Sequence, residues 1–434
     1  MEDQPGAAHV EENLAITPLG ECRIPSPMKS VHFVSDDQQV LFDGGLREVE
    51  AALRAGSAPA QFEMAGPRAK IYFDPSKLKC GIVTCGGLCP GLNDVIRAIV
   101  LSLHYHYGVR SIFGFRYGYE GLTYRYGHVP VELTAELVET IQHHGGTILG
   151  SSRGPQDVSE MVDTLEQMNV GLLFAIGGDG TLRGAQAISD EARRRGRTIA
   201  VIGIPKTIDN DISYINNSFG FATAVEEATR AIYAAHAEAA GARNGLGLVK
   251  LMGRDSGFIA AFATLANSLV NFCLVPEVPF TLDGLVRALK ERLQNRHHAV
   301  IVVAEGAGQH LMQVAAQRDA SGNVKHGDIG LFLRERILDN FNSAGEHISL
   351  KYIDPSYTIR SMPANPLDSA FCLMLGHNAV HAGMAGRTGM VVGNWRGEAT
   401  HVPIAAAVCR RKQIDPMGRL WTAVMSTTGQ ARAL

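Results

Sequence analysis

Cysteine is scarce in this 434-residue chain. There are seven (Cys22, Cys80, Cys85, Cys89, Cys273, Cys372 and Cys409), too scattered for a disulfide scaffold, which points to a reducing compartment. Cys85 and Cys89 lack a second Cys or His pair at finger spacing, so zinc is not expected. The histidines at 104/106, 143/144 and 297/298 are not spaced i, i+4 and read as solvated or core groups. No apolar run reaches membrane-spanning length. The start Met1-Glu2-Asp3, with Glu11-Glu12, has neither a secretory apolar region nor the arginine-rich, acid-poor character of a transit peptide. Arg432-Ala433-Leu434 does not match a Ser-Lys-Leu address, and a cytoplasmic location is expected. Excess charge is missing too: a net −3 gives no reason to expect nucleic acid or an anionic membrane as partner, though it leaves room for a local basic site.

What is present is length and glycine. The chain exceeds what one ordinary core supports, so two lobes with appendages are expected. With 46% hydrophobic residues, 19% charged residues and 47 glycines, the composition is that of a glycine-loop-rich globular enzyme. Residues 1–75 carry prolines and mixed charge, and the β-favouring runs Val31-His32-Phe33-Val34 and Arg68-Ala69-Lys70-Ile71-Tyr72-Phe73 predict short strands in an accessory segment packed on the core or a neighbour. From Lys79 the pattern becomes strand, glycine loop, helix, repeated, which is the signature of a parallel α/β sheet.

Four loops carry chemistry. After the strand Cys80–Thr84, Cys85-Gly86-Gly87-Leu88-Cys89-Pro90-Gly91-Leu92-Asn93 leads into a helix to about Tyr107; its glycines present backbone N–H groups to an anion, or simply make a tight turn. Gly145–Pro155 is a small-residue loop whose one charge, Arg153, suits a phosphate clamp as well as it suits a surface. Leu172–Ile176 ends in Gly177-Gly178-Asp179-Gly180-Thr181, ahead of a helix Leu182–Arg195, and a carboxylate among glycines fits a Mg²⁺ bridging phosphates. The strand Thr198–Ile204 delivers Pro205-Lys206-Thr207-Ile208-Asp209-Asn210-Asp211, whose carboxylates can take a proton or sit near a metal, but whose Asp-Asn-Asp run also makes Asx turns. Further on, an alanine-rich helix Phe221–Ala240 precedes the strand Gly247–Leu251, which delivers Met252-Gly253-Arg254-Asp255-Ser256-Gly257. Ala299–Ala304 ends in Glu305, and a polar loop Lys351–Arg360 precedes a helix from about Asn365 to about Gly383.

In order and spacing, Gly86-Gly87-Leu88-Cys89-Pro90-Gly91-Leu92-Asn93, Gly177-Gly178-Asp179-Gly180-Thr181, Pro205-Lys206-Thr207-Ile208-Asp209-Asn210-Asp211 and Met252-Gly253-Arg254 resemble the 6-phosphofructokinase family. The resemblance runs from about residue 66 to about residue 395 and is to the long branch with plant and trypanosomal ATP-dependent enzymes. It implies an α/β fold of two Rossmann-like lobes, parallel sheets flanked by helices, with the active site in the cleft and an N-terminal extension. Residues 1–75 would be the extension, 76–220 with 360–415 the ATP lobe, and 221–359 with 416–434 the fructose 6-phosphate lobe. By motif position Asp209 is the base that takes the proton from the sugar 1-hydroxyl, flanked by Thr207 and Asp211, with Thr207 near the transferring phosphoryl group, which the Lys206 ammonium can also bind. Gly86, Gly87, Arg153, Gly178, Gly180 and Thr181 surround the donor phosphates, and Asp179 is the Mg²⁺ carboxylate. Met252, Gly253, Arg254 and Glu305 hold the sugar, with Arg254 also stabilising charge in transfer. For the 6-phosphate, the family's histidine and arginine fall on Tyr357 and Arg360, a second arginine falls on Lys351, and another falls on Gly245, with Arg243 close by. A homodimer or homotetramer is implied.

Gly180 leaves room for a nucleotide where pyrophosphate-dependent relatives usually carry aspartate, whereas Lys206 occurs with both donors. ATP is therefore expected, with pyrophosphate the alternative. NAD kinases and lipid kinases share Gly-Gly-Asp-Gly-Thr but lack the other loops. A catalytically silent sugar-phosphate sensor would have no chemical need of Asp179, Thr207, Asp209 and Arg254 together.

Overall fold

The computed structural model describes residues 14–29, 31–312, 325–432 and 434, so the acidic start at residues 1–13 lies outside the described residues. The chain divides into two compact units. One takes the residues up to Lys206, Ile212–Asn217 and Ser369–Arg410; the other takes Thr207–Asp211, Ser218–Asp368 and Arg411–Leu434. The backbone passes between units at 206/207, 211/212, 217/218, 368/369 and 410/411, five crossings in all.

The first unit is built on a sheet whose described strands run in the order Gln39–Leu41, Gln61–Met64, Glu398–Pro403, Met390–Trp395, Ala200–Pro205, Val170–Gly177, Lys79–Thr84, Ser111–Phe115 and Val131–Glu132. From Met390–Trp395 to Ser111–Phe115 the neighbours are parallel; towards both edges they are antiparallel. Ala200–Pro205 is buried along its whole length, and Val170–Gly177 at all but one position. That is why their sequences are continuous apolar runs rather than alternating ones: a parallel strand is covered on both faces. Two glycine-led connections, after Lys79–Thr84 and Val170–Gly177, and the Lys206 end of Ala200–Pro205 therefore open at the carboxyl ends of adjacent strands, where α/β sheets bind ligands.

The accessory segment differs from expectation. Val31–Val34 forms no strand, and its Val34 amide donates to Pro67 O at 2.9 Å. Within Arg68–Phe73 only Lys70–Ile71 pairs, with Ile24–Pro25. Gln39–Leu41 takes the edge of the large sheet instead, with Gln61–Met64 beside it, which sets Met64 against Thr400 and Glu63 against His401. β-Propensity yields here to context, because Arg68 is committed to side-chain bonds: Nε to Asp36 (2.8 Å), Nη2 to Glu63 (2.8 Å) and Nη1 to Gly66 O (3.0 Å).

Glu63 is the centre of that buried node. It also accepts from Arg387 Nε at 2.9 Å and lies 3.3 Å from His401 Nδ1. Burial alone would raise its pKa, but His401 and Arg387 hold it down to about 2. Glu63→Ala leaves two buried guanidinium groups with Asp36 as the carboxylate they still share and should cost about 1–3 kcal/mol, read as a lower midpoint in a denaturant titration. An unchanged midpoint would show that the node is not structural.

The second unit carries a parallel four-stranded sheet in the order Phe272–Leu274, His298–Ala304, Gly245–Leu251, Ser349–Ile353. Leu246, Leu248, Ile301 and Val303 pack with Leu285, Leu289, Leu333 and Ile337 in its core. The alanine-rich helix Phe221–Ala240 approaches the central strand so closely that a Cβ on Gly247 would stand 2.8 Å from Ala235 O. Small residues on both elements make this approach possible. The Leu434 carbonyl closes the unit by accepting from the Thr281 amide at 2.8 Å. Among the described residues no helix is long and apolar enough to cross a membrane.

Candidate active site

On the first unit, the loop after Lys79–Thr84 turns at Gly86, whose φ of 87° is in the left-handed region. The Gly86 amide donates to Ser152 O (3.0 Å) and its carbonyl accepts from Ser151 Oγ (2.6 Å), which joins this loop to the one carrying Arg153. Lys206, buried at the end of Ala200–Pro205, donates from Nζ to Gly87 O at 2.8 Å. A Cβ on Gly86 would lie 3.5 Å from that ammonium, and one on Gly87 would lie 3.2 Å from Arg153 Nη2. Two cations thus flank the Gly86-Gly87 backbone.

The motif Gly177–Thr181 folds differently from its sequence expectation. The helix begins at Asp179 rather than Leu182, so Asp179 and Gly180 form its first turn with Gly178 as N-cap. A carboxylate in the first turn is favoured by the helix dipole, and a helix N-terminus is suited to anions. The Lys206 amide donates to Gly177 O at 2.9 Å, and a Cβ on Gly178 would meet Lys206 O at 3.3 Å. Thr181 is buried; a side chain at Gly177 would run into it, and its carbonyl accepts from Tyr119 Oη at 2.6 Å. Gly180 is different. It is exposed, its φ is not in the left-handed region, and nothing lies within 4 Å of an added Cβ, so neither backbone nor packing asks for glycine there. Gly86, Gly87, Arg153, Gly178, Asp179, Gly180, Thr181 and Lys206 therefore lie on four interlinked segments of one unit.

On the second unit, residues 207–211 form a tight polar loop. Thr207 Oγ1 donates to Asp211 Oδ1 at 2.5 Å and accepts from the Asp209 amide at 3.3 Å. Asn210 takes a positive φ of 56°, and its Oδ1 accepts from the Ser218 amide at 3.0 Å, while the Ser218 hydroxyl donates to Thr207 O. These bonds present Asp209. Its Oδ2 accepts from the Arg254 amide at 3.4 Å, but its Oδ1, shielded from water, has no hydrogen-bond partner among the described residues. Burial, then the charges of Asp211 and Glu305, push its pKa up to about 7; the Arg254 amide and Arg360 act against the shift.

Arg254, Glu305 and Arg360 all act on this carboxylate. Gly253 has φ 127° and a Cβ there would press on Ser256 O at 2.6 Å, so glycine is required for Arg254 to take its place. Gly306 N donates to Gly253 O (3.0 Å) and Glu305 N to Leu251 O (2.9 Å), which docks Glu305 beside Met252–Arg254. Arg360 Nε lies 3.1 Å from Met252 Sδ. Lys351, Tyr357 and Arg243 stand exposed, Tyr357 at 84%. Gly245 has no room for the family's arginine, because even a Cβ would collide with the Ala239 backbone.

Four groups escaped the sequence reading. Arg411 bonds to Asp255 and lies 3.8 Å from Asp211 Oδ2, the Lys412 amide donates to Asp211 O at 2.7 Å, and Ser218 supports the Asp209 loop. His326 feels the charges of Arg254 and Glu305. The triplet Arg410-Arg411-Lys412 was a visible signal in a nearly neutral chain, but no local pattern tied it to residue 211.

Comparison with known proteins follows the same line. The family model described as Phosphofructokinase matches residues 79–383. An ATP-dependent 6-phosphofructokinase of Amycolatopsis methanolica is 50% identical, with 96% of this chain and 95% of that protein aligned. The Trypanosoma brucei brucei enzyme of the same name is 45% identical over 96% of this chain and 88% of its own length. Among solved structures, a pyrophosphate-dependent phosphofructokinase from Marinobacter aquaeolei superposes with a TM-score of 0.68 at 18% identity, covering 81% of this chain and 91% of that one, a likeness of fold alone.

Proposed function

The chain belongs to the phosphofructokinase family, and we propose that it transfers the γ-phosphoryl group of MgATP to the 1-hydroxyl of fructose 6-phosphate, giving fructose 1,6-bisphosphate and ADP. The observation that carries this reading is Asp209: a carboxylate with one oxygen shielded from water and without a partner, its pKa near neutrality, beside Arg254. A general base works best with a pKa near the working pH, and an alcohol nucleophile needs one. In this assignment the free Oδ1 accepts the hydroxyl proton, the Arg254 guanidinium neutralises charge on the moving phosphoryl group, and Thr207 with Asp211 keeps Asp209 aimed. Met252, Gly253, Glu305 and Arg360 hold the sugar phosphate, with Lys351 and Tyr357 at its outer end.

The donor half consists of the Gly86-Gly87 backbone, Arg153, Lys206, Gly178, Gly180, Thr181 and Asp179. Among the described residues no three His, Cys, Asp or Glu side chains cluster to hold a metal. A single hard carboxylate at a helix start fits Mg²⁺, which takes most of its ligands from phosphates and water; we assign it to Asp179, and its chemistry when bound is to neutralise the donor phosphates. The remaining parts of the proposal are a homodimer or homotetramer and a cytoplasmic place of action.

The test is turnover of purified full-length protein with fructose 6-phosphate and Mg²⁺, ATP and pyrophosphate being offered separately. Fructose 1,6-bisphosphate should form with ATP. Formation only with pyrophosphate would sink the donor assignment, and none with either would favour a sensor.

A further inference from the structure

The segment Arg411–Ile414 is bonded to both loops that present the base and the guanidinium. The Lys412 amide donates to Asp211 O (2.7 Å), Ser256 Oγ to Lys412 O (2.7 Å) and Gln413 Nε2 to Asp255 O (3.1 Å). The Ile414 amide donates to Glu277 Oε1 (2.9 Å), which accepts also from the Gly257 amide (2.9 Å) at the start of the helix Phe258–Ala266. Arg411 adds charge to this lacing. Its Nη1 bonds to Asp255 Oδ2 and stands 3.8 Å from Asp211 Oδ2, and Asp211 Oδ1 is the acceptor of the Thr207 hydroxyl.

We propose that Arg411 is a positioning residue for phosphoryl transfer: its guanidinium bridges Asp211 of the base loop and Asp255 of the Arg254 loop, and so fixes Asp209 and Arg254 in one geometry. The proposal rests on the function assigned above. Both contacts run through Nη1, and the planar guanidinium that carries it stays charged and fixed in direction, whereas an ammonium is a mobile point charge. The bridge also governs charge. Asp209 faces Asp211 from its own loop, Glu305 and Arg254 from the loops at two strand ends, and Arg360 from the helix Ser356–Ser361. Asp211 in turn faces Arg411 and the Lys412 ammonium, which sits 5.3 Å from the Phe258 ring. With Arg411 neutralised, Asp211 acts on Asp209 with less compensation, and the base becomes harder to ionise.

The experiment compares the full-length wild type with Arg411→Met and Arg411→Lys, measuring kcat, KM for each substrate, the acid limb of the pH profile and the melting temperature. Arg411→Met should lose about tenfold or more in kcat with KM little changed, as expected when bound reactants are misaligned. Its acid limb should move to higher pH by about half a unit. Arg411→Lys should return the limb towards wild type while recovering kcat only in part. Wild-type kcat and limb in both variants would overturn the proposal. So would a loss of activity that follows a loss of folded protein with the limb unmoved. If the wild type itself turns nothing over, the assigned function fails and this inference with it; an active wild type with silent substitutions defeats the inference alone.

Discussion

Asp209→Asn should lower turnover by about 10²–10⁴-fold while yielding a protein that melts later than its parent. The first effect follows from removing the group that takes the hydroxyl proton. The second follows from the sign of the pKa shift. The folded state raises the Asp209 pKa from the ordinary carboxylate range to about 7, so it binds the proton more tightly than the unfolded chain does. Whatever this carboxyl contributes to stability is fully present below the unfolded pKa and is lost as pH rises through about 7. Above that pH the fold carries an ionised carboxylate with one oxygen shielded from water and unbonded, and the neutral amide removes that burden. A melting temperature higher by a few degrees, about 2–4 °C per kcal/mol in a protein of ordinary domain size, is expected above neutral pH, and the gain should vanish in acid. The parent's own kcat/KM should fall as pH drops through about 7. An Asp209→Asn protein that keeps parental turnover, or an acid limb lying in the ordinary carboxylate range, would rule this residue out as the base.

Gly180→Asp should reduce turnover with ATP by about 10²-fold or more. Two unit charges of like sign about 4 Å apart at an effective dielectric near 20 repel by roughly 4 kcal/mol, so even partial screening leaves a large effect on a bound triphosphate. The substitution is informative because the protein itself has no objection to it. Gly180 is exposed in a helical first turn, an added Cβ meets nothing within 4 Å, and an acidic side chain there is favoured by the helix dipole. Folding stability should stay level or rise slightly, which separates a donor effect from a folding effect. Gly180→Ala is the companion substitution, adding bulk without charge. Unchanged kcat/KM for ATP in the aspartate variant would mean that the donor phosphates do not pass over this turn.

The strands and glycine loops were legible because the forces that specify them are local. A fully buried parallel strand must be a continuous apolar run, and Val170–Gly177 and Ala200–Pro205 are such runs. The helix Phe221–Ala240 could be read from its alanines and Gly241, although their purpose, the close approach to Gly247, needed the structure. Val31–Val34 misled for the opposite reason: its β-propensity is real, but Gln39–Leu41 and Gln61–Met64 take the last two places of the sheet on that side. The partnerless oxygen and raised pKa of Asp209 are products of burial and of Glu305, far off in sequence, and no local pattern encodes them. Arg411 and Lys412 were missed on the same ground, since only folding brings them to Asp211.

The five crossings of the backbone bear on synthesis as well as on catalysis. Met390–Trp395 lies between Ala200–Pro205 and Glu398–Pro403 in the large sheet, and the second unit takes Arg411–Leu434 as well as Ser218–Asp368. A nascent chain emerging from the ribosome at about 5–20 residues per second therefore completes neither unit until its last segment is out. The strand Ala200–Pro205 spends seconds with one side of its ladder open, a length of apolar edge for which folding helpers and aggregation compete. Slowing elongation after residue 210 should consequently lower the soluble yield of this protein more than that of one whose units are contiguous.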